Sequence, residues 1–446
     1  MPDAEMGTMT PTKLALIARR AREEPRCRFT SLAHLLDAGF LKACYLELGR
    51  NRASGIDNVT WRQYGERLEE NLKELVARMK AKRYKPLPVK RVYIPKDEHA
   101  TRPLGLPSLE DKVVQRGIAR ILEAIYEADF LGCSYGFRPG RGCHQALDAV
   151  DKAVMTKPVN CIIDADIKGY FDNVSHEWMM KCLEVRISDP SFLLLIRRFL
   201  KAGYVDGRQF VATDRGTPQG GNLSPMLSNI FLHYVLDLWF EKRVKPRVRG
   251  HCSLVRYADD FLCLVQHKDE AEYIKRELQK RFTRFSLELH PEKTVVISFG
   301  RYERENARRQ KRRANTFDFL GFTHFCGRSR RGKFIVGRKT SAKKSRKKCK
   351  ETNAWLKAVR NAAPTKEWWP LLAAKLRGHY QYYGVSGNMA SLRRFYTVTL
   401  RLVRKWLNRR SQRGALSWKR FMEYLNHYPL PTPRIVCNLY TLRPVV

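Results

Sequence analysis

Residues 253–265 read SLVRYADDFLCLV: two apolar runs meet at a break that holds two adjacent carboxylates, Asp259 and Asp260. Few arrangements satisfy such a string. The runs are too apolar to lie in water, and a buried aspartate is costly unless it is paired or holds a metal. A β-hairpin meets both demands by burying its arms and lifting the acidic pair to the turn. Upstream, residues 161–172 read CIIDADIKGYFD, a second apolar run that ends on another carboxylate, Asp166. Three aspartates from neighbouring strands form the oxygen-donor set of a pair of Mg²⁺ ions, with Mn²⁺ as the alternative, that drives phosphoryl or nucleotidyl transfer. Asp164 shares a strand face with Asp166 by two-residue periodicity. The chain turn lies nearer Asp166, so Asp164 reads as structural. Asp172 reads as a cap for the helix that follows.

Charge narrows the partner. The 446 residues carry 85 Lys and Arg against 44 Asp and Glu, a net charge of +41. Such an excess repels itself in a compact chain unless a polyanion neutralises it, which points to nucleic acid. No long basic amphipathic helix stands apart from the globular pattern, which argues against a membrane surface. No apolar run reaches the ~18 residues of a membrane span. The 11 cysteines include no CxxC pair, so neither a zinc ribbon nor a disulfide framework is expected. They read as reduced thiols of a cytoplasmic protein. Asp3 and Glu5 near the start argue against a secretory signal or transit peptide.

The alternation of helical and hairpin patterns predicts an α+β fold. Residues 1–28 read as a loosely ordered basic extension. Helical spacing recurs within 31–84 and over 109–130, 175–185, 190–203 and 224–239, and strand character over 87–95, 161–164 and the acidic hairpin. Residues 301–316, RYERENARRQKRRANT, read as an exposed basic loop. A second basic run, 339–350, marks the expected boundary between a unit over 29–338 and a helical unit over 339–446, whose segments have one basic and one aromatic-apolar side.

The ordered motifs GIDNVT, RVYIPK…RPLGLP, SYGFRPGRGCHQAL, DADIKGYFDNVSH, RGTPQGGNLSPMLSNIFLH, VRYADDF, LELHPEKT and FDFLGFTHF resemble those of group II intron-encoded reverse transcriptases. LRGHYQYYGVSGN resembles the maturase, or thumb, region that follows in that family. The resemblance implies a right-hand polymerase: fingers and palm over 29–338, then a helical thumb over 339–446. It implies extension of a DNA primer on an RNA template with dNTPs, and binding of the parent group II intron RNA to assist splicing and mobility. In this family Asp166, Asp259 and Asp260 match the catalytic metal ligands. Lys96 and Arg102 match residues that grip the incoming triphosphate. Phe171 matches an aromatic gate that leaves no room for a ribose 2′-hydroxyl, and Gln219 matches a residue lying against nucleotide and template. Lys293 matches a lysine that protonates or steadies pyrophosphate. Arg50, Arg52, Arg138 and Arg141 fall in elements that resemble template contacts. Lys343, Lys344, Arg346, Lys347 and Arg377 are candidates for RNA phosphate contacts in the last region. Trp368, Trp369, Tyr380, Tyr382 and Tyr383 there read first as core and second as base-stacking platforms. Taken singly, each of these has a plainer reading as a loop cation, a core ring or a solvated charge.

Many family members continue into a DNA-binding segment and an endonuclease with paired cysteines. No such cluster precedes Val446, so second-strand cleavage is not expected. A primer would come from elsewhere, such as a nascent strand at a replication fork. Two further readings stay open: a domesticated relative in phage defence or CRISPR spacer acquisition, and an RNA-binding splicing cofactor with little polymerase activity. The intact set Asp166, Asp259, Asp260, Lys96, Arg102 and Gln219 argues against the latter. A primase or RNA polymerase is disfavoured by Phe171.

Overall fold

The computed structural model describes residues 9–95, 101–217, 220–329, 331–410 and 415–439. Its strands, in chain order, are β1 (Val89–Pro95), β2 (Thr101–Leu106), β3 (Cys161–Ala165), β4 (Tyr204–Asp206), β5 (Gln209–Val211), β6 (Cys252–Tyr257), β7 (Asp260–Val265), β8 (Val295–Ser298), β9 (Thr316–Phe319), β10 (Phe322–Arg328) and β11 (Phe334–Thr340). They form three sheets: β2-β1-β4-β5, β6-β7-β3-β8 and β11-β10-β9. Pairing is antiparallel except between β1 and β4.

The sheet β6-β7-β3-β8 divides two cores, and the alternation of β3 shows how. Cys161, Ile163 and Ala165 enter the larger core, where the helix Leu109–Tyr126 contributes Val113, Ile118, Ile121 and Ile125. Ile162 points the other way, into a core shared with Phe317, Phe319 and Phe322 of β9 and β10. Each such fully buried aliphatic contributes roughly 1.5–3 kcal/mol. Ser108 starts the central helix by accepting from the Asp111 N–H at 3.1 Å. Between β9 and β10, Leu320 and Gly321 take φ of 48° and 79°. This double left-handed turn matches the twist of a two-residue hairpin.

After β11 the chain is helical. Ala342–Ala362, Thr365–Tyr383, Met389–Leu407 and Trp418–His427 enclose a third core around Leu356, Leu372, Leu376, Phe395 and Trp406. Trp368, Trp369 and Tyr380 are buried in it, so these three are packing residues. Tyr382 stays at the edge and donates its hydroxyl to the Leu320 carbonyl at 3.0 Å, tying this bundle to the β9–β10 turn. Among the described residues no helix is long and apolar enough to cross a membrane.

The structure departs from the sequence pattern in three places. Met9–Glu23 is a helix, not a loose extension: Ala21 is buried, and Leu14 and Ile17 pack on the larger core. Leu14, Ile17 and Ala21 repeat at helical spacing, a stripe hidden among arginines. Residues 301–316 are not an open loop, because Glu303–Arg309 is helical. Buried Glu303 accepts from Arg312 Nη1 at 2.6 Å and from the Asn315 N–H at 2.9 Å. Asp172 caps nothing, since Ser175 caps the following helix, His176–Glu184.

Candidate active site

Register builds the site. Antiparallel pairing sets Ala165 of β3 opposite Phe261 of β7, so Asp166 and Asp260 leave the sheet side by side at one end. At that same end Tyr257 pairs with Asp260, leaving Ala258 and Asp259 as a two-residue turn. Ala258 takes φ 58°, a left-handed conformation that costs a non-glycine residue roughly 1–2 kcal/mol. Something must hold it there.

Arg256 does so from behind. It is fully buried, and all five guanidinium protons find acceptors. Nε and Nη2 donate to Asp237 at 2.7 and 2.6 Å, Nη1 to Asn229 Oδ1 at 3.0 Å and to the Ala258 carbonyl at 2.9 Å, and Nη2 to Ser134 Oγ at 2.8 Å. Asp237 is as completely buried as its partner. None of Arg256, Asp237 and Asn229 stood out in the motif pattern. The available signal was a lone arginine inside the apolar string SLVRY.

The carboxyls at the sheet end repel one another. Burial pushes the Asp259 carboxyl above the usual range; its own backbone N–H and the Arg102 guanidinium pull it back, and Asp166 adds repulsion. Asp260 faces the solvent as a residue, yet its carboxyl is crowded by protein. Desolvation, then Asp164, Asp259 and Asp166, push it up to about 7. Asp164 also rises to about 7, through burial first and then Asp166 and Asp318. It therefore belongs to the same electrostatic cluster, although it projects from within β3. Acids that resist ionising together favour a bound cation.

Among the described residues no three His, Cys, Asp or Glu side chains already close into a metal cage. Mg²⁺ does not require one, because it keeps several waters and takes one or two carboxylates beside substrate phosphates. Asp166 Oδ2 accepts from Lys293 Nζ at 2.8 Å, with the two side chains 47% and 56% exposed. An exposed pair of this kind is worth at most about 1 kcal/mol, so a divalent cation can displace the ammonium. Hard oxygen donors, mutual repulsion and a replaceable monovalent partner together fit Mg²⁺.

Across from the carboxyls, exposed Arg102 lies on β2 opposite Ile94. Phe171, half-buried, sits in the short turn Tyr170–Asn173 and packs on the larger core. With Arg91, Tyr204, Gly216 and Thr217 it lines a cleft of about 530 Å³ formed by the β2-β1-β4-β5 sheet, the Tyr170–Asn173 turn and residues 212–217. Gly216, at φ 87°, passes so close that a Cβ would lie 2.9 Å from the Phe171 and Asp172 carbonyl oxygens. Thr217 N–H donates to the Phe171 carbonyl at 2.7 Å, which fixes the ring's backbone. Lys96 and Gln219 lie outside the described residues.

Of the RNA candidates, Lys343, Lys344, Arg346 and Lys347 are exposed on Ala342–Ala362, and Arg377 is exposed on Thr365–Tyr383. Arg50 lies 5.3 Å from the Trp61 ring centroid, and exposed Arg52 donates to Asn222 at 3.1 Å. Arg141 is half-buried and donates to the Gly132 carbonyl at 3.0 Å. Arg138 is a correction. It is buried, with Nη2 on Glu127 at 2.6 Å and Nη1 on the Leu131 and Ser134 carbonyls at 2.8 and 2.9 Å. Its guanidinium is committed to this loop and has no face left for a template phosphate.

The family model of the reverse transcriptase (RNA-dependent DNA polymerase) matches residues 94–324, more than half of the chain. Protein YkfC of Escherichia coli K12 is 36% identical over 256 residues, covering 50% of this chain and 66% of that protein. The group II intron-encoded protein LtrA of Lactococcus lactis subsp. cremoris is 32% identical over 308 residues, covering 66% of this chain and 51% of LtrA. A 91 kDa protein in the cob intron of Schizosaccharomyces pombe is 39% identical over 170 residues, 38% of this chain and 20% of that protein. The matched region thus spans from one fifth to about two thirds of these relatives' lengths. Sheet topology, the acidic sheet end and these matches agree: the chain belongs to the reverse transcriptase family, in its group II intron-encoded reverse transcriptase and maturase branch.

Proposed function

We propose that the protein is an RNA-directed DNA polymerase that extends a primer on an RNA template with dNTPs, and that it binds a group II intron RNA to assist splicing and mobility. The observation that carries this reading is the meeting of Asp166, Asp259 and Asp260 at one open sheet end, within the electrostatic reach of Arg102. Residues 29–338 act as fingers and palm and 339–446 as the thumb.

Bound Mg²⁺ would supply Lewis-acid activation of the primer 3′-hydroxyl and neutralise the triphosphate. Asp166, Asp259 and Asp260 would hold the Mg²⁺. Arg102 meets the triphosphate with a planar pair of donors, and Lys96 adds a point charge. Phe171 presents a ring beneath the sugar, where a 2′-hydroxyl would clash, and the family match gives Gln219 the contact with nucleotide and template. Lys293, held 2.8 Å from Asp166 Oδ2, would steady or protonate the departing pyrophosphate with its ammonium. Exposed cations of the thumb, Lys343, Lys344, Arg346, Lys347 and Arg377, hold RNA through phosphates rather than sequence. The cytoplasm, where RNA and dNTPs meet, is the proposed location.

Primer extension by purified protein on an RNA template, with and without Mg²⁺, tests the reading. Mg²⁺-dependent extension that Asp259→Asn abolishes is the expected result. Extension absent from the wild type overturns it.

A further inference from the structure

The loop 133–138 is built as a rigid bracket on the carboxyl-bearing turn, and one ring of it has no structural task. The loop adds itself to the free edge of β6: Arg256 N–H donates to the Cys133 carbonyl at 2.8 Å, and Tyr135 N–H to the Arg256 carbonyl at 2.9 Å. Gly136 presses on the turn so closely that a Cβ there would sit 2.5 Å from the Ala258 nitrogen. Its carbonyl accepts from Asn229 Nδ2 at 2.7 Å. Two residues on, Arg138 is buried and bound as described above. Phe137 is trapped between these anchors at φ 55°, and its side chain is thrown outward to 58% exposure.

A bulky residue in the left-handed region is an outlier, and such strain persists only where the surroundings over-determine it. Here both neighbours are fixed, so the backbone that carries the ring is held in place and the ring leaves it toward water. An exposed aromatic on a fixed backbone beside the acidic sheet end has lost part of its ordering entropy in advance. That is what a stacking platform needs.

Position selects the strand. A primer 3′ end must reach the gap between Asp166 and Asp259, on the β3 side of the turn. Phe137 flanks the turn on its other side, beyond β6, so the strand within its reach is the one paired to the primer. Half-exposed Arg141 follows in the same loop, with charge for that strand's phosphate. We infer that Phe137 is a template-binding residue, its ring stacking on a template nucleotide beside the primer terminus, and that buried Arg138 and Asn229 are positioning residues that hold it there. The inference rests on the polymerase reading proposed above.

The test uses the full chain and an RNA template annealed to a DNA primer, with 2-aminopurine in the template opposite the primer terminus. Phe137→Gly removes the ring and relieves the positive φ, so its thermal midpoint should be no lower than the wild type's. It should bind the hybrid roughly ten-fold more weakly and leave the 2-aminopurine brighter, and Phe137→Trp should restore both. Wild-type affinity and quenching in Phe137→Gly overturn the platform. So does failure of Phe137→Trp to restore them, since the loss would then belong to the loop's shape. Binding needs no turnover: a wild type that binds but extends no primer sinks the polymerase reading, while the Phe137 comparison is still decided by fluorescence.

Discussion

The buried pair behind the acidic turn allows a quantitative test. Arg256→Met removes a guanidinium that fills a closed polar pocket with a side chain of similar length. It leaves Asp237 as an unpaired buried charge and strips donors from Ser134, Asn229 and the Ala258 carbonyl. Breaking one side of a buried ion pair costs about 3–5 kcal/mol. That is a large share of the roughly 5–15 kcal/mol that typically holds a domain together. Burial itself pulls the Arg256 guanidinium toward lower pKa, yet Asp237 carries it above its ordinary value, so the charged pair is the resident state. The double change Arg256→Met with Asp237→Leu removes both charges and should recover about half or more of the loss, because an apolar pair escapes the desolvation cost. Urea unfolding of the two single variants, the double variant and the wild type gives the coupling, expected at about 2–4 kcal/mol. The double variant should remain folded and still extend primers poorly, because the Ala258 carbonyl has lost its tether. Two results refute the reasoning: a coupling below about 0.5 kcal/mol, or full Mg²⁺-dependent extension by the double variant.

Asp259→Asn should abolish primer extension while changing RNA affinity less than about three-fold, since one charge among a net +41 scarcely alters the field; filter binding and extension on the same preparation check both. Phe171→Ala should admit ribonucleotides, with dNTP over rNTP discrimination falling on the order of ten-fold or more in single-turnover incorporation. Lys343→Ala with Lys344→Ala should reduce the slope of log affinity against log salt by roughly 1–2, and an unchanged slope removes these lysines from the RNA surface. His324, fully buried and stacked 4.6 Å from Phe317, is pushed down to about 3 by burial and then by Arg338. Its folded pKa lies below the unfolded value near 6.5. The stability it permits is therefore present above about pH 6.5 and lost as pH falls toward 3. His324→Phe keeps the stack and removes the proton, so between pH 8 and 5 the wild type should lose about 2 kcal/mol more than the variant in urea titrations.

How much of this was legible depended on whether a residue's partner was local. The acidic hairpin was readable because strand alternation and the turn lie within one short window. The adjacency of Asp166 and Asp260 was not, since it comes from the β3–β7 register across almost a hundred residues; only the order of motifs stood in for it. Arginines were the least readable. Arg138 and Arg141 occupy one Gly- and Pro-rich loop and look alike as sequence, yet Glu127 at the end of a preceding helix captures the first and leaves the second half-exposed. The same capture hides Arg256 on Asp237 and Arg338 on Asp151. In a chain with 85 basic and 44 acidic residues, acids are the scarce partner. Buried charge must be paired, so interior acids such as Asp237 and Asp151 withdraw an arginine from the surface and turn it into a structural bolt. For a chain this basic, the positions of its interior aspartates are a better guide to which arginines leave the surface than the basic runs themselves.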